Sequence, residues 1–198
     1  VEGVMDLSET EIIELCKKGD RDAFNTLVEK YQTQVINIAY SMLSNREDAL
    51  DAAQEVFVKI YKNIGGFKGK SSLSTWIYRI VSNVCNDILR KRRKNTNVIS
   101  ISTSAQEDDE NKDFDITDTN PTPEELLELS EQQRVVRMAI SELSDEYREI
   151  VTLCDIEQLS YDEISQILKC PVGTVKSRLN RARSALKKKL IKNRELFP

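Results

Sequence analysis

The stretch that decides the fold is Tyr161–Leu190, YDEISQILKCPVGTVKSRLNRARSALKKKL. It opens with acidic and apolar residues, breaks at Cys170-Pro171 and closes in a dense basic run. Just ahead of it, Ser160 and Glu163 have the spacing of a capping box, in which a hydroxyl and a carboxylate satisfy first-turn N–H groups reciprocally. Ile164, Ile167 and Leu168 then recur at helical spacing. Residues 160–168 therefore read as one short helix. A second helix starts around Val172 to Thr174 and runs to about Lys192. The link Lys169-Cys170-Pro171-Val172 has the turn length of a helix-turn-helix.

On the second helix Val175, Leu179, Ala182 and Leu186 share one face, which packs inward. The opposite face carries Gly173, Ser177, Asn180, Arg181 and Ser184, flanked by Thr174, Lys176, Arg178 and Arg183. Such a surface mixes donors that reach base edges with cations that reach phosphates. The N-terminal part of the second helix of this motif enters the major groove. That makes Thr174, Ser177, Arg178 and Arg181 base-edge candidates, and Lys176, Arg183, Lys187 and Lys188 phosphate contacts. From Lys169 to Arg194 there are ten Lys/Arg and no Asp/Glu, a local charge of +10 inside a chain of net −4. A basic stripe of this kind is the footprint of a polyanion binder; the bland alternative is a solvated helix face.

Composition excludes several other chemistries. The chain has 198 residues, enough for one or two domains, and no histidine. His-based triads and proton shuttles are thereby removed, as are most catalytic zinc sites. The cysteines Cys16, Cys85, Cys154 and Cys170 form no C-x-x-C pair and read as small core residues of a cytoplasmic protein. No run of about 18 apolar residues suggests a membrane span.

The rest of the chain reads as helix almost throughout, so the expected class is all-α. Ser8 and Glu11 form a capping box, Gly19 stops that helix and Asp20 caps the next. Phe24, Leu27, Val28, Tyr31, Val35, Ile38, Ala39 and Met42 line one helical face. A third helix, Glu47 to Ile64, turns Ala49, Ala52, Ala53, Val56, Phe57 and Ile60 inward and ends at Gly65-Gly66. A fourth starts near Ser74, buries Ile77, Ile80, Val81, Val84 and Ile88, and ends in Arg90-Lys91-Arg92-Arg93-Lys94. Residues 95–130 hold ten Asp/Glu and one Lys, a local charge of −9. The segment 95–122 has too few large apolar residues to offset its ordering entropy and reads as a flexible acidic linker. It could fold back on a basic face when DNA is absent. Thr122-Pro123-Glu124-Glu125 opens the next helix, to about Leu143, and Ser144 caps another through Tyr147, Ile150, Val151 and Cys154. The expected architecture is two small helical domains, 7–94 and 123–198, the second carrying the helix-turn-helix.

Two features of the first half need a role. Asp48, Asp51, Gln54, Glu55 and Lys59 lie along the polar side of the third helix. Asp48, Asp51 and Glu55 could hold a divalent cation; a solvated or partner-binding acidic face is the other reading. The segment Gly66–Lys94 brings a Gly- and Ser-bearing loop before a helix with Trp76, Tyr78, Asn83 and Asp87, then a basic end. Aromatics, amides and cations together suit unstacked bases, although the spacing of Trp76 with Leu73 and Ile80 also suits a core residue.

The segments EDALDAAQEVFVKIYKN, FKGKSSLSTWIYRIVSNVCNDILRKRRK and LSYDEISQILKCPVGTVKSRLNRARSALKKKL resemble the signature stretches of a bacterial sigma factor of the extracytoplasmic-function (ECF) type, sigma-70 family. The resemblance covers roughly Leu7–Lys94 and Pro123–Lys192. It implies a transcription initiation factor with no enzymatic activity and no cofactor or metal. It implies as partners core RNA polymerase, through its beta-prime clamp helices and beta flap, promoter DNA, and an anti-sigma factor. By position, Asp48, Asp51, Gln54, Glu55 and Phe57 would dock on the clamp helices. Lys68, Ser71, Ser72, Ser74, Trp76, Tyr78, Asn83 and Asp87 would recognise the −10 element with a base flipped out, while Arg90, Arg92 and Arg93 hold the backbone. Thr174, Lys176, Ser177, Arg178, Arg181 and Arg183 would read the −35 element as duplex. A stand-alone regulator using only the helix-turn-helix would leave the first domain without a role, and a nuclease would need the metal reading of Asp48, Asp51 and Glu55.

Overall fold

The computed structural model describes residues 8–101 and 131–192. Among them the chain is helical and contains no strand. The first unit comprises α1 (Glu9–Lys17), α2 (Arg21–Leu43), α3 (Arg46–Asn63), a 3-10 turn (Ile64–Gly66) and α4 (Leu73–Ile101). The second comprises α5 (Glu131–Ser141), α6 (Asp145–Val151), a π-helical turn (Thr152–Ile156), α7 (Tyr161–Leu168) and α8 (Val172–Lys192). The expected acidic linker beyond Ile101 and the Thr122–Glu125 helix start lie outside the described residues.

The helix starts follow local chemistry. Ser8 N–H donates to the Glu11 carboxylate at 2.8 Å, and the Glu11 N–H donates back to Ser8 Oγ at 3.4 Å. Gly19, at φ +84°, makes the left-handed turn that ends α1. Asp20 Oδ1 then accepts from the N–H groups of Asp22 and Ala23 at 3.0 and 2.9 Å. Asn45 caps α3 by accepting from Asp48 N–H at 3.0 Å. Ser72 caps α4, its Oγ accepting from Thr75 N–H at 3.1 Å. That places the start of α4 at Leu73, one residue earlier than Ser74. Its end is also displaced: α4 continues past Lys94 to Ile101. The composition change at Asn95 does not stop it, because an established helix gains one hydrogen bond for each residue it fixes.

In the second unit Ser160 and Glu163 form the expected box, with Ser160 N–H to Glu163 Oε2 at 2.9 Å and Glu163 N–H to Ser160 Oγ at 3.3 Å. Lys169 takes the left-handed conformation at φ +51°, and α8 starts on the Pro171 carbonyl, which accepts from Thr174 and Val175 N–H at 2.8 and 3.1 Å. The helix-turn-helix link is thus Lys169–Pro171. Two details differ from expectation. Ser144 sits at the N-cap of α6 but its hydroxyl makes no capping bond. The helix expected to run through Cys154 widens after Val151 into the π-helical turn, where Glu157 N–H reaches back to the Thr152 carbonyl at 3.0 Å.

The core follows the predicted periodicity. Leu27, Val35, Ile38 and Met42 of α2 meet Ala52, Val56 and Ile60 of α3 and Ile77, Val81 and Val84 of α4, all buried. In the second unit Ile150, Leu153, Ile164, Val175, Leu179 and Ala182 are buried. Each fully buried aliphatic side chain stabilises the fold by about 1.5–3 kcal/mol. The buried residues of both units join into one continuous cluster, because α4 packs on α6 and α7 while α2 packs on α5 and α6. All four cysteines are free thiols; Cys16 and Cys85 are buried in the core while Cys154 and Cys170 are half-buried at its edge, and burial, reinforced by the charge of Glu149, pushes the Cys85 thiol up to about 12.

Candidate nucleic-acid interface

α8 turns its apolar side inward, and Leu186, half-buried, continues that face. On the outer side Ser177, Asn180 and Arg181 are exposed and Thr174 is half-buried. Ser177 Oγ donates back to the Thr174 carbonyl at 3.1 Å. Lys176 Nζ stands 5.8 Å from the Tyr161 ring centroid, a cation–π contact between the two helices of the motif. Arg183 is engaged within the protein: its Nε donates to Asp155 Oδ2 at 3.2 Å, and Asp155 raises the guanidinium's already high pKa. Arg178 is half-buried, with Nε 4.0 Å from Glu146 Oε2. The outward face therefore brings together Thr174, Lys176, Ser177 and Arg181, while Arg178 and Arg183 lean on acidic partners.

The loop before α4 is tied by hydroxyl groups. Ser72 Oγ lies 3.0 Å from Ser74 Oγ and 2.7 Å from Thr75 Oγ1, and Ser71 Oγ donates to the Ser72 carbonyl at 3.2 Å. Gly69 supplies a left-handed residue at φ +66°. Lys68 is exposed, and the half-buried Trp76 ring packs on Phe67 with centroids 5.3 Å apart. A cleft of ≈ 440 Å³ opens here, lined by Lys68, Lys70, Trp76 and Arg79 of the first unit and by Gln166 and Lys169 of the second. Tyr78 is buried, and burial, with the charges of Glu157 and Glu163, raises its phenol pKa. Asn83 is exposed. Asp87 pairs with Arg90 at 2.7 Å, Arg92 with Asp48, and Arg93 with Asp145 of the second unit.

A third surface lies on α3. Asp51 and Gln54 are exposed, Glu55 pairs with Lys59 at 2.7 Å, and Phe57 is half-buried. Sequence reasoning missed the apolar part of this face: Leu50, Val58 and Tyr61 are 41%, 50% and 49% exposed. Their interleaving with Asp51, Gln54 and Glu55 was the available signal. Among the described residues, no three His, Cys, Asp or Glu side chains are grouped as a metal site, and no helix is long and apolar enough to cross a membrane.

Comparison with known proteins gives these three surfaces their context. The family model for Sigma-70 region 2 matches residues 27–95, and that for Sigma-70, region 4 matches residues 133–186. The chain is 36% identical over 189 residues to the ECF RNA polymerase sigma-E factor of Haemophilus influenzae, covering 93% of this chain and 96% of that protein. It is also 36% identical over 178 residues to the ECF RNA polymerase sigma factor SigW of Bacillus subtilis, covering 90% and 94%. In fold it is similar to the sigma factor RpoE from Bartonella quintana, solved in complex with the anti-sigma factor NepR, at a TM-score of 0.65 and 24% identity over 84% of this chain and 96% of that one. Two matched regions in order, and relatives aligned along nearly their whole length, place the chain in the ECF-type sigma factors of the sigma-70 family, non-enzymatic initiation factors that bind RNA polymerase and direct it to promoters.

Proposed function

We propose that the two units divide promoter recognition between them. Residues 7–94 take the role of region 2, docking on the beta-prime clamp helices through Asp51, Gln54 and Glu55, with Asp48 and Phe57 behind them. The loop Lys68–Ser74 and the α4 residues Asn83, Asp87, Arg90 and Arg93 engage the −10 element, a flipped base being held against the loop at an unstacking cost of a few kcal/mol. Residues 123–198 take the role of region 4: α8 enters the major groove of the −35 element, and the unit contacts the beta flap. The factor acts in the cytoplasm and is held by an anti-sigma protein, as the solved relative is by NepR.

The observation that carries this reading is the outward face of α8, where Thr174, Ser177 and Arg181 stand on one side of a helix whose other side is buried. Base-edge contacts carry sequence information and phosphate contacts do not. With holoenzyme on a promoter, Arg181→Ala weakens binding by about 1–3 kcal/mol and relaxes preference at one −35 base pair. A loss equal on every sequence makes Arg181 a phosphate contact and moves the reading side chains elsewhere on α8.

A further inference from the structure

Several arginines of this protein are answered by carboxylates: Arg90 by Asp87, Arg92 by Asp48, Arg93 by Asp145 and Arg183 by Asp155. The cleft of ≈ 440 Å³ between the loop before α4 and the end of α7 is different. Lys68, Lys70, Arg79 and Lys169 line it, and no Asp or Glu does. Among the described residues none of these four side chains makes an ion pair or a hydrogen bond. The three lysines are exposed and Arg79 is half-buried. Like charges gathered around one concavity repel each other and raise the local concentration of anions, and a bound anion relieves the repulsion.

The remaining lining narrows the class of anion. Phe67 is buried and Trp76 half-buried, and their rings pack as a tilted pair that gives the cleft an aromatic wall. Such a wall takes a nucleic-acid base of any identity through its π-face. Ser71 Oγ already donates to the Ser72 carbonyl, which leaves it as an acceptor, and the exposed Gln166 amide offers both donors and an acceptor. The volume falls in the range of about 300–1,000 Å³ that holds a small ligand. A nucleic-acid strand carries one charge per nucleotide, so the length of strand that fits would leave most of the four cations unmatched. A free nucleotide with a chain of phosphates brings several charges into the same space. We propose that this cleft is a binding site for a free nucleoside polyphosphate, its base beside Trp76 and its phosphates among Lys68, Lys70, Arg79 and Lys169. Lys68, Ser71 and Trp76 belong to the loop assigned above to the −10 element. Lys70, Arg79, Gln166 and Lys169 have no part in that assignment, and the site needs neither polymerase nor promoter.

Trp76 is the only tryptophan of the chain, so its intrinsic fluorescence reads the cleft directly. The test titrates ATP and GTP, separately and at low salt, into the full-length wild-type chain, Lys70→Gln and Lys169→Asn. Lys70 lies in an exposed loop, and Asn tolerates the left-handed backbone of Lys169; circular dichroism checks that both variants keep their helicity. Adenosine, inorganic tripolyphosphate and a short oligothymidylate are compared by competition. The proposal expects saturable quenching by at least one of the two nucleotides, with Kd below about 1 mM. Each variant should bind it about five-fold more weakly, as fits the loss of one partly solvated charge contact. Adenosine and tripolyphosphate should each bind at least about five-fold more weakly than the nucleotide, since one lacks the charges and the other the stacked ring.

The absence of saturable quenching overturns the site. Tripolyphosphate as tight as the nucleotides makes it an anion patch without base recognition, and oligothymidylate tighter than both makes it a strand groove; either result overturns the nucleotide. Weakening by Lys70→Gln with none by Lys169→Asn confines the ligand to the first unit and overturns the two-unit cleft.

Discussion

Arg148 offers the sharpest test of how the second unit is held together. Its side chain is 12% exposed and its guanidinium donates to three carbonyls: Met42 at 2.8 Å, Leu143 at 3.0 Å and Ser141. Ser141 and Leu143 lie where α5 ends, and Met42 lies in the last turn of α2. The Met42 and Ser141 carbonyls are at helix ends and lack partners within their own helices, and Leu143 lies in the turn after α5. Burial disfavours the charged guanidinium and Asp145 partly offsets this. A hydrogen bond to a charged group contributes about 1.5–3 kcal/mol. Arg148→Ala loses three of them but also relieves a buried cation, so the net loss is about 3 kcal/mol. For a chain of this size that is a fall of roughly 6–12 °C in the melting midpoint. Arg148→Lys retains a cation without the planar fork and should recover about half of the loss. Urea unfolding followed by circular dichroism, with the slope checked for two-state behaviour, measures both. A loss below about 1 kcal/mol for Arg148→Ala would refute the assignment, showing that water serves these carbonyls equally well.

Other expectations follow from single sites. Thr152 is fully buried in the π-helical turn and its hydroxyl has no partner among the described residues; Thr152→Val should raise stability by about 1 kcal/mol, read in the same urea assay. Ser72→Ala removes the α4 cap and should cost about 1 kcal/mol, with Ser72→Gly costing only a few tenths; a promoter-opening defect in Ser72→Ala that Ser72→Gly does not share then belongs to the cap, not to base recognition. Asp51→Arg, at an exposed position on α3, should leave helicity unchanged and reduce co-elution with core polymerase; unchanged co-elution rules out that docking face.

Much of this was legible in the chain because local chemistry sets it. The Ser8–Glu11 and Ser160–Glu163 boxes, Asp20 and Gly19 place helix ends by hydrogen bonds within four residues. The inward face of α8 follows from spacing alone, since Val175, Leu179 and Ala182 repeat with the helical period. The π-helical turn left no mark, because TLCDI has the same apolar pattern as an α-helix. The exposed Leu50, Val58 and Tyr61 broke the pattern that a solitary helix should show, and such breaks point to a partner. The hydrogen bonds from Ser82 and Asn86 to Glu149 were invisible for another reason. Glu149 lies 67 residues from Ser82 and 63 from Asn86, and periodicity carries no information about which polar faces meet across that distance. Tyr78 shows the consequence: read as a base-contacting aromatic, it is buried beneath the second unit in this arrangement.

The most direct measurement is co-elution of the purified chain with bacterial core RNA polymerase, followed by run-off transcription on a library of genomic fragments. An initiation factor predicts a stoichiometric complex and new, sequence-selective start sites that share a spaced pair of elements upstream. No complex under conditions where a housekeeping sigma factor binds, with DNA binding retained by the free chain, would contradict it and leave the helix-turn-helix acting alone.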